Sequence, residues 1–529
     1  MKRPSHTAPM RRPFLRPETI VQILTIFALL AIWEGVARAT ADRFVLAAPS
    51  DIAAYVADNA PLLWRALCTT FLAAAQGFFW GNLAGFALAL AAVLMPRTER
   101  VLATLGLLVF CLPLVATGPI LRVLYGPGNG PQVTLAALAV FYTTFLPALV
   151  GLRAAPRDWF DLVRSYGHGR LMVLGQVRLP ASIPYLAAGL QIAAPAALLG
   201  AMVGEFTGAE PGLGVLTIRA MRALDLSATW SIAVIAAGVS VLAFHAVGAV
   251  GRWLDLSPPS VLLAPPVDRR PSIWQIGAPI LALTIALALW QGLMDLFDLS
   301  PFFAKRPGDV WTYLFADPAS AKHRAILASA FLQTMTSALP GYIAGLGLGA
   351  GLAALLTLAP RISAVSMPIA VALRSIPIVA TAPLIVWALG RGTTGTVAVV
   401  AVMIFFPTLV ACLHGLARTP RRILDMFASY NAGPMRRLFH AQLPAMLPAF
   451  FASARMAIPA AILAVTTAEW LATGRGLGAL MATTASTSDY GMLWSAIALI
   501  GLAAIFAHEA VAVVERAVLK RTSAEQLAA

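Results

Sequence analysis

Charge is scarce in this chain. Only 12% of its 529 residues are Asp, Glu, Lys or Arg, and the lysines are confined to Lys2, Lys305, Lys322 and Lys520. Too few charges are present to clothe a water-soluble globule of this length. No lysine follows a glycine, so the Gly-Lys-Ser/Thr signature of a phosphate-cradling loop is missing. A P-loop ATPase is therefore excluded, and any ATP would be used on another subunit. Cysteine is equally sparse. Cys68, Cys111 and Cys412 lie scattered in or beside apolar runs with no paired spacing, which excludes a disulfide framework and a cysteine metal site.

What the chain has instead is hydrophobic residues, 59% of the total, with a mean hydropathy of +0.81. Apolar runs of about 20 residues, enough to cross a bilayer, recur along nearly its whole length. These features predict an all-α polytopic membrane protein. The formal charge of +15 then reads as topology rather than as a nucleic-acid footprint, because most Lys and Arg fall in the short segments between runs. Those segments are expected to be cytoplasmic, with both termini on the same side. The basic start, residues 1–19, is followed by no evident small-residue cleavage site and is expected to be a retained tail.

An internal repeat sets the architecture. At an offset of 264 residues, Ser165-Tyr166 pairs with Ser429-Tyr430, Gly169 with Gly433, Leu179-Pro180 with Leu443-Pro444, Glu205 with Glu469, and Gly212-Leu213-Gly214 with Gly476-Leu477-Gly478. The same register joins Gly77, Gly81 and Gly85 to Gly341, Gly345 and Gly349, and Pro113 and Pro119 to Pro377 and Pro383. A tandem duplication of about six spans per half, about twelve in all, is predicted. The halves are expected at 20–253 and 273–517, joined by a proline-rich cytoplasmic linker at 254–272, with a basic tail at 518–529. Because six is even, the halves should share one orientation. The glycine triplets fall every fourth residue and so line one helix face, where a neighbouring helix can approach closely. A substrate role for that face is the alternative.

Two polar stretches stand out, Asp161 to Pro180 and Asp425 to Pro444. In the first, Asp161-Leu162-Val163, three residues, Gly167, nine residues and Val177-x-Leu179-Pro180 resemble the EAA loop of permease subunits of bacterial ABC importers. That family's consensus is Glu-Ala-Ala, three residues, Gly, nine residues, Ile-x-Leu-Pro. The downstream run Val203 to Gly214 and its repeat Ala468 to Gly478 are similar to the branch that imports nitrate, sulfonates and taurine. The resemblance covers both halves. It departs in the triplet, which reads Asp425-Met426-Phe427 in the second copy, and in the glycine, which is replaced there by Asn431. If that position turns in the left-handed region, Asn is the next most tolerant residue after Gly.

The resemblance implies two fused type I ABC-importer permease domains and a transport subunit rather than an enzyme. It also implies a separate cytoplasmic ATPase dimer docked on Asp161, Ser165, Gly167, Gly169, Leu179 and Pro180 and on Asp425, Ser429, Asn431, Gly433, Leu443 and Pro444. A periplasmic or lipid-anchored binding protein would deliver the solute, and the location would be a bacterial inner membrane. No cofactor or metal is expected in this chain.

Ionisable groups within spans are functional candidates. Arg374, beside Pro377, and Arg455, whose repeat partner is Gln191, are candidate pathway residues for an anion. Alternatively, Arg374 anchors to carbonyls freed by Pro377, and Arg455 snorkels toward an interface. Glu205 and Glu469 are candidates for an outer gate or simply for bonding at helix ends. The rival class is an ion-driven secondary transporter with two six-helix repeats, which would be expected to carry intramembrane carboxylates. Glu34 is the clearest acid within a span.

Overall fold

The computed structural model describes residues 17–41, 46–95, 98–126, 128–206, 212–254, 274–359, 378–390 and 392–522, and among these all regular structure is helical. The first half contains α1 (Pro17–Ala39), α2 (Pro49–Asp58), α3 (Ala60–Leu94), α4 (Glu99–Phe110), α5 (Leu114–Tyr125) and α6 (Gly130–Gly151). It continues through α7 (Arg157–Ser165), α8 (Arg170–Glu205), α9 (Leu213–Arg222) and α10 (Leu226–Trp253). The series recurs as α11 (Trp274–Leu296), α12 (Pro307–Trp311), α13 (Ser320–Leu358), α14 (Ile378–Leu389) and α15 (Thr393–Ala417). It ends with α16 (Arg421–Ser429), α17 (Pro434–Thr473), α18 (Gly476–Ser486) and α19 (Tyr490–Thr522).

Among the described residues, α3, α6, α8 and α10 and their counterparts α13, α15, α17 and α19 are long and apolar enough to cross a membrane. In the first half the 23-residue α1 and a third pass broken between α4 and α5 complete a six-helix plan; in the second, the 23-residue α11 and α14 hold the corresponding places. The break in the first half falls at Cys111–Pro113, just before α5, because Pro113 has no N–H to continue α4. Pro119 could break the same pass by the same argument, yet it lies inside α5, where its missing donor removes a single intrahelical bond. Pro377 lies outside the described residues, as do Arg374 and all but the first residue of the expected linker.

The fifth pass also differs from the sequence expectation. Pro180 and Pro184 head its apolar run in the sequence, yet α8 starts at Arg170 and runs through both. A π-turn at Leu174–Arg178 precedes Leu179-Pro180, and another at Leu438–Gln442 precedes Leu443-Pro444 in α17. The wider turn shifts the bonding register just where a proline can make no bond, so the helix continues.

Glycine decides which helices meet. A Cβ at Gly345 would lie 2.7 Å from the Ala401 carbonyl oxygen, and one at Gly349 would lie 2.8 Å from that of Phe405. Gly77, Gly81 and Gly85 face Ala136, Ala137 and Phe141 just as tightly. The two seams draw α3 onto α6 and α13 onto α15, the close approach that packs helices where water supplies no drive.

The halves do not sit side by side as separate bodies. One apolar core contains Leu135, Ala197 and Ile232 from the first half and Ala382, Val399 and Ala464 from the second. The broken passes cross over: α5 packs on α17 and α18, while α14 packs on α8, α9 and α10. The helix α11 also leaves its own half to lie on α4, with Ile285 against Val101.

Candidate functional site

At the end of the molecule opposite the arginine-rich loops, α5, α9, α17, α18 and α19 enclose a cavity of about 560 Å³. Pro119, Arg122, Phe206 and Arg222 come from the first half, and Trp470, Thr483, Ser486 and Tyr490 from the second. Among the described residues two arginines line it and no carboxylate does. The Arg122 guanidinium reaches only the Gly128 carbonyl, at 3.4 Å, and the Arg222 side chain is exposed. Neither forms an ion pair among the described residues. The repeat counterparts of Arg122 and Arg222 are Val386 and Ser486, so the positive wall belongs to the first half alone. Phe206 and Trp470, which are repeat counterparts, supply flat apolar surface across from each other in the sequence repeat.

Sequence reasoning missed both arginines. Arg122 lies inside an expected span and breaks the repeat, which was the signal available for it. Arg222 lies in a short segment between spans and becomes meaningful only once α9 is folded back over the cavity.

Glu205 and Glu469 support this cavity from behind. Each is almost fully buried at the end of the fifth pass. Thr70 Oγ1 donates to Glu205 at 2.7 Å, and the Gly214 N–H donates to the same carboxylate at 2.6 Å. The Leu213 N–H in turn donates to Thr70 Oγ1 at 2.9 Å. The second half repeats the arrangement: Thr334 to Glu469 at 3.0 Å, Gly478 N–H to Glu469 at 2.8 Å, and Leu477 N–H to Thr334 at 2.8 Å. The free N–H groups that begin α9 and α18 are thus capped by a carboxylate from the end of the preceding pass and by a hydroxyl from a helix distant in sequence. A side chain at Gly212 or Gly476 would collide with the carboxylate, which explains the glycines. These acids clamp the short cavity-lining helices onto the long spans.

Arg455 and Gln191 do not reach the cavity. Arg455 Nε lies 3.3 Å from Glu515 of α19, and both side chains are largely buried. Gln191 packs against Gly248 of α10. Glu515 follows directly on the last apolar run, so the sequence does not mark it as a partner within a span.

At the other end, the two loops present matching surfaces. The turn residues Gly167 and Asn431 have φ of 76° and 48°, both left-handed. Ser165 and Ser429 bond back within the loop, to the carbonyls of Leu162 and Met426 at 2.7 and 2.8 Å. Asp161 lies 3.9 Å from Arg164. Gly169 and Gly433 cap the N-termini of α8 and α17, while Leu179, Pro180, Leu443 and Pro444 lie in those helices and support the loops from within. Tyr166 and Tyr430 are 75% and 81% exposed, with Leu162, Leu171, Met426 and Met435 beside them. Such apolar side chains on amphipathic, polar segments mark a contact surface.

Known proteins bear on these features. The family of binding-protein-dependent transport system inner membrane components matches residues 81–257 and again 341–521. A probable ABC transporter permease of Haemophilus influenzae is 31% identical over 226 residues, covering 42% of this chain and 92% of that protein. The formylaminopyrimidine transport permease ThiX of Halalkalibacterium halodurans is 28% identical over 225 residues, 42% of this chain and 90% of its own length. The taurine transport system permease TauC of Escherichia coli is 26% identical over 184 residues, 35% and 65% respectively. Each relative spans less than half of this chain, in keeping with two fused units.

Proposed function

Because the chain belongs to the family of binding-protein-dependent transport system inner membrane components, we propose that it is a two-domain permease of an ATP-driven importer. The solute is a small anion or a small molecule bearing an acidic group, of the sulfonate, taurine or nitrate kind. The cavity between the halves carries this reading: it offers two arginines and aromatic walls. A fixed positive charge in a site of low dielectric favours an anion far more than the same charge in water would.

The rest of the molecule supports a division of labour between its ends. The arginine-rich end faces the cytoplasm by the positive-inside bias, as do both termini. There the paired loops seat a separate ATPase dimer, whose closure swings each loop as a rigid body. At the opposite end, a binding protein hands the solute to the cavity. Crossed helices such as α5 and α14 let one half respond to movement of the other. The membrane is a bacterial inner membrane, and no covalent chemistry falls to this chain.

The experiment is uptake by proteoliposomes holding the chain with its ATPase and binding protein, using an alkanesulfonate, taurine, nitrate and a neutral pyrimidine as probes. Arg122→Gln with Arg222→Gln is expected to lower uptake of the anionic probe by about tenfold or more, as lost charge-assisted bonds of about 1.5–3 kcal/mol each imply. Uptake of the neutral pyrimidine that equals or exceeds that of every anion in the intact complex would refute the substrate class.

A further inference from the structure

The two docking loops share one spacing, yet among the described residues the first alone is tied to the membrane helices by charged side chains. Phe160 of α7 lies under the guanidinium of Arg178, 5.0 Å from ring centroid to Cζ. Arg178 Nη1 donates to the Leu152 carbonyl, just beyond α6, at 3.2 Å. The next residue, Arg153, pairs with Glu99, the first residue of α4. These side chains line one cleft with Val93, so loop, fifth pass, fourth pass and third pass meet at a single point. From Glu99, α4 leads through the Cys111–Pro113 break into α5, which carries Arg122 into the cavity.

At the corresponding repeat positions the second half carries no charge. The residues at the repeat positions of Glu99, Arg153, Phe160 and Arg178 are Ser363, Ala417, Leu424 and Gln442. Among the described residues, its loop is held by an internal bond from Arg437 Nε to the Ala432 carbonyl at 2.9 Å and by the buried Leu438. The apolar seat is common to both halves, since Leu174 is buried at the equivalent position. The charged brace is not.

We propose that movement of the ATPase reaches the cavity chiefly through the first loop, with Glu99, Arg153 and Arg178 acting as positioning residues that fix α7 to the arm carrying Arg122. The proposal rests on the docking of ATPase subunits at the paired loops. A physically continuous set of packed and bonded groups carries coupling between distant sites, and among the described residues the first loop alone has a charged set. The second loop then serves mainly to hold its ATPase.

The test uses the full complex in proteoliposomes, with two readouts: ATPase subunits retained per chain and uptake per ATP hydrolysed. Glu99→Gln is expected to keep both ATPases yet lower uptake per ATP by about tenfold, within the reach of coupling changes of this kind. The exchanged pair, Glu99→Arg with Arg153→Glu, should recover most of that loss. Leu162→Arg and Met426→Arg, repeat counterparts on the exposed loop faces, form a second comparison that leaves the membrane core untouched. The first should reduce uptake per ATP by about tenfold and the second by less than about threefold. Equal losses from these two variants, or no loss from Glu99→Gln, with ATPases retained throughout, would overturn the proposal alone. An intact chain that retains no ATPase would overturn the docking itself and the proposal with it.

Discussion

At the scale of single residues, the structure replaces open roles with bonded ones. Glu205 and Glu469 each accept from a threonine and from a backbone N–H that begins a short helix. Substituting Thr334 by Val removes the donor to Glu469 and the acceptor of the Leu477 N–H at once. The loss should be about 1–3 kcal/mol for each buried group left unsatisfied, seen as a lower melting temperature of the purified chain in detergent. The turn at Asn431 gives a second check. With φ of 48° it admits glycine freely, so Asn431→Gly should be neutral, whereas Asn431→Val should cost about 1–2 kcal/mol. A melting curve unchanged by the valine would show that the left-handed turn is not maintained. The sequence exposed this turn because its family spacing marks the glycine. It could not show that Glu205 meets Thr70, since 135 residues separate them and nothing in a linear pattern joins a threonine to one acid rather than another.

Among elements, close helix contacts and one buried ion pair dominate. Gly345 lets α13 lie against Ala401 and Ile404 of α15, so Gly345→Leu must push the helices apart. Overpacking of this kind costs about 1–3 kcal/mol, and limited proteolysis of the variant should show faster cleavage than the parent. Equal cleavage rates would contradict the seam. The pair formed by Arg455 and Glu515 lies between α17 and α19. Arg455→Met leaves a carboxylate buried alone and should destabilise by about 3–5 kcal/mol, while the double change to Met at both positions should recover most of that loss. A double variant no more stable than the single would remove the ion pair as the cause. Glycine spacing was legible because period four is a property of one helix. The ion pair was not, because its partners come from separate passes and Glu515 sits just past an apolar run.

For the whole molecule, the duplication at 264 residues foretold two halves of one plan, and the family match at 81–257 and 341–521 agrees with it. What the repeat hides is its own asymmetry. Arg122, Arg222, Glu99 and Arg153 all fall where the second half has neutral residues, so comparing the copies by their likeness passes over them. The exchange of α11 onto α4 is also silent in sequence, because an apolar helix reads the same whichever neighbour it chooses. Fusion of two domains in one chain frees each to specialise, one with the cationic wall and the charged brace, the other without. The most direct test is uptake by proteoliposomes carrying the chain, its ATPase and its binding protein, with ATP inside or outside and with ion gradients present or collapsed. Uptake that requires ATP on the loop side and survives collapse of the gradients is the expected result; uptake by the chain alone, driven by an ion gradient, would contradict it.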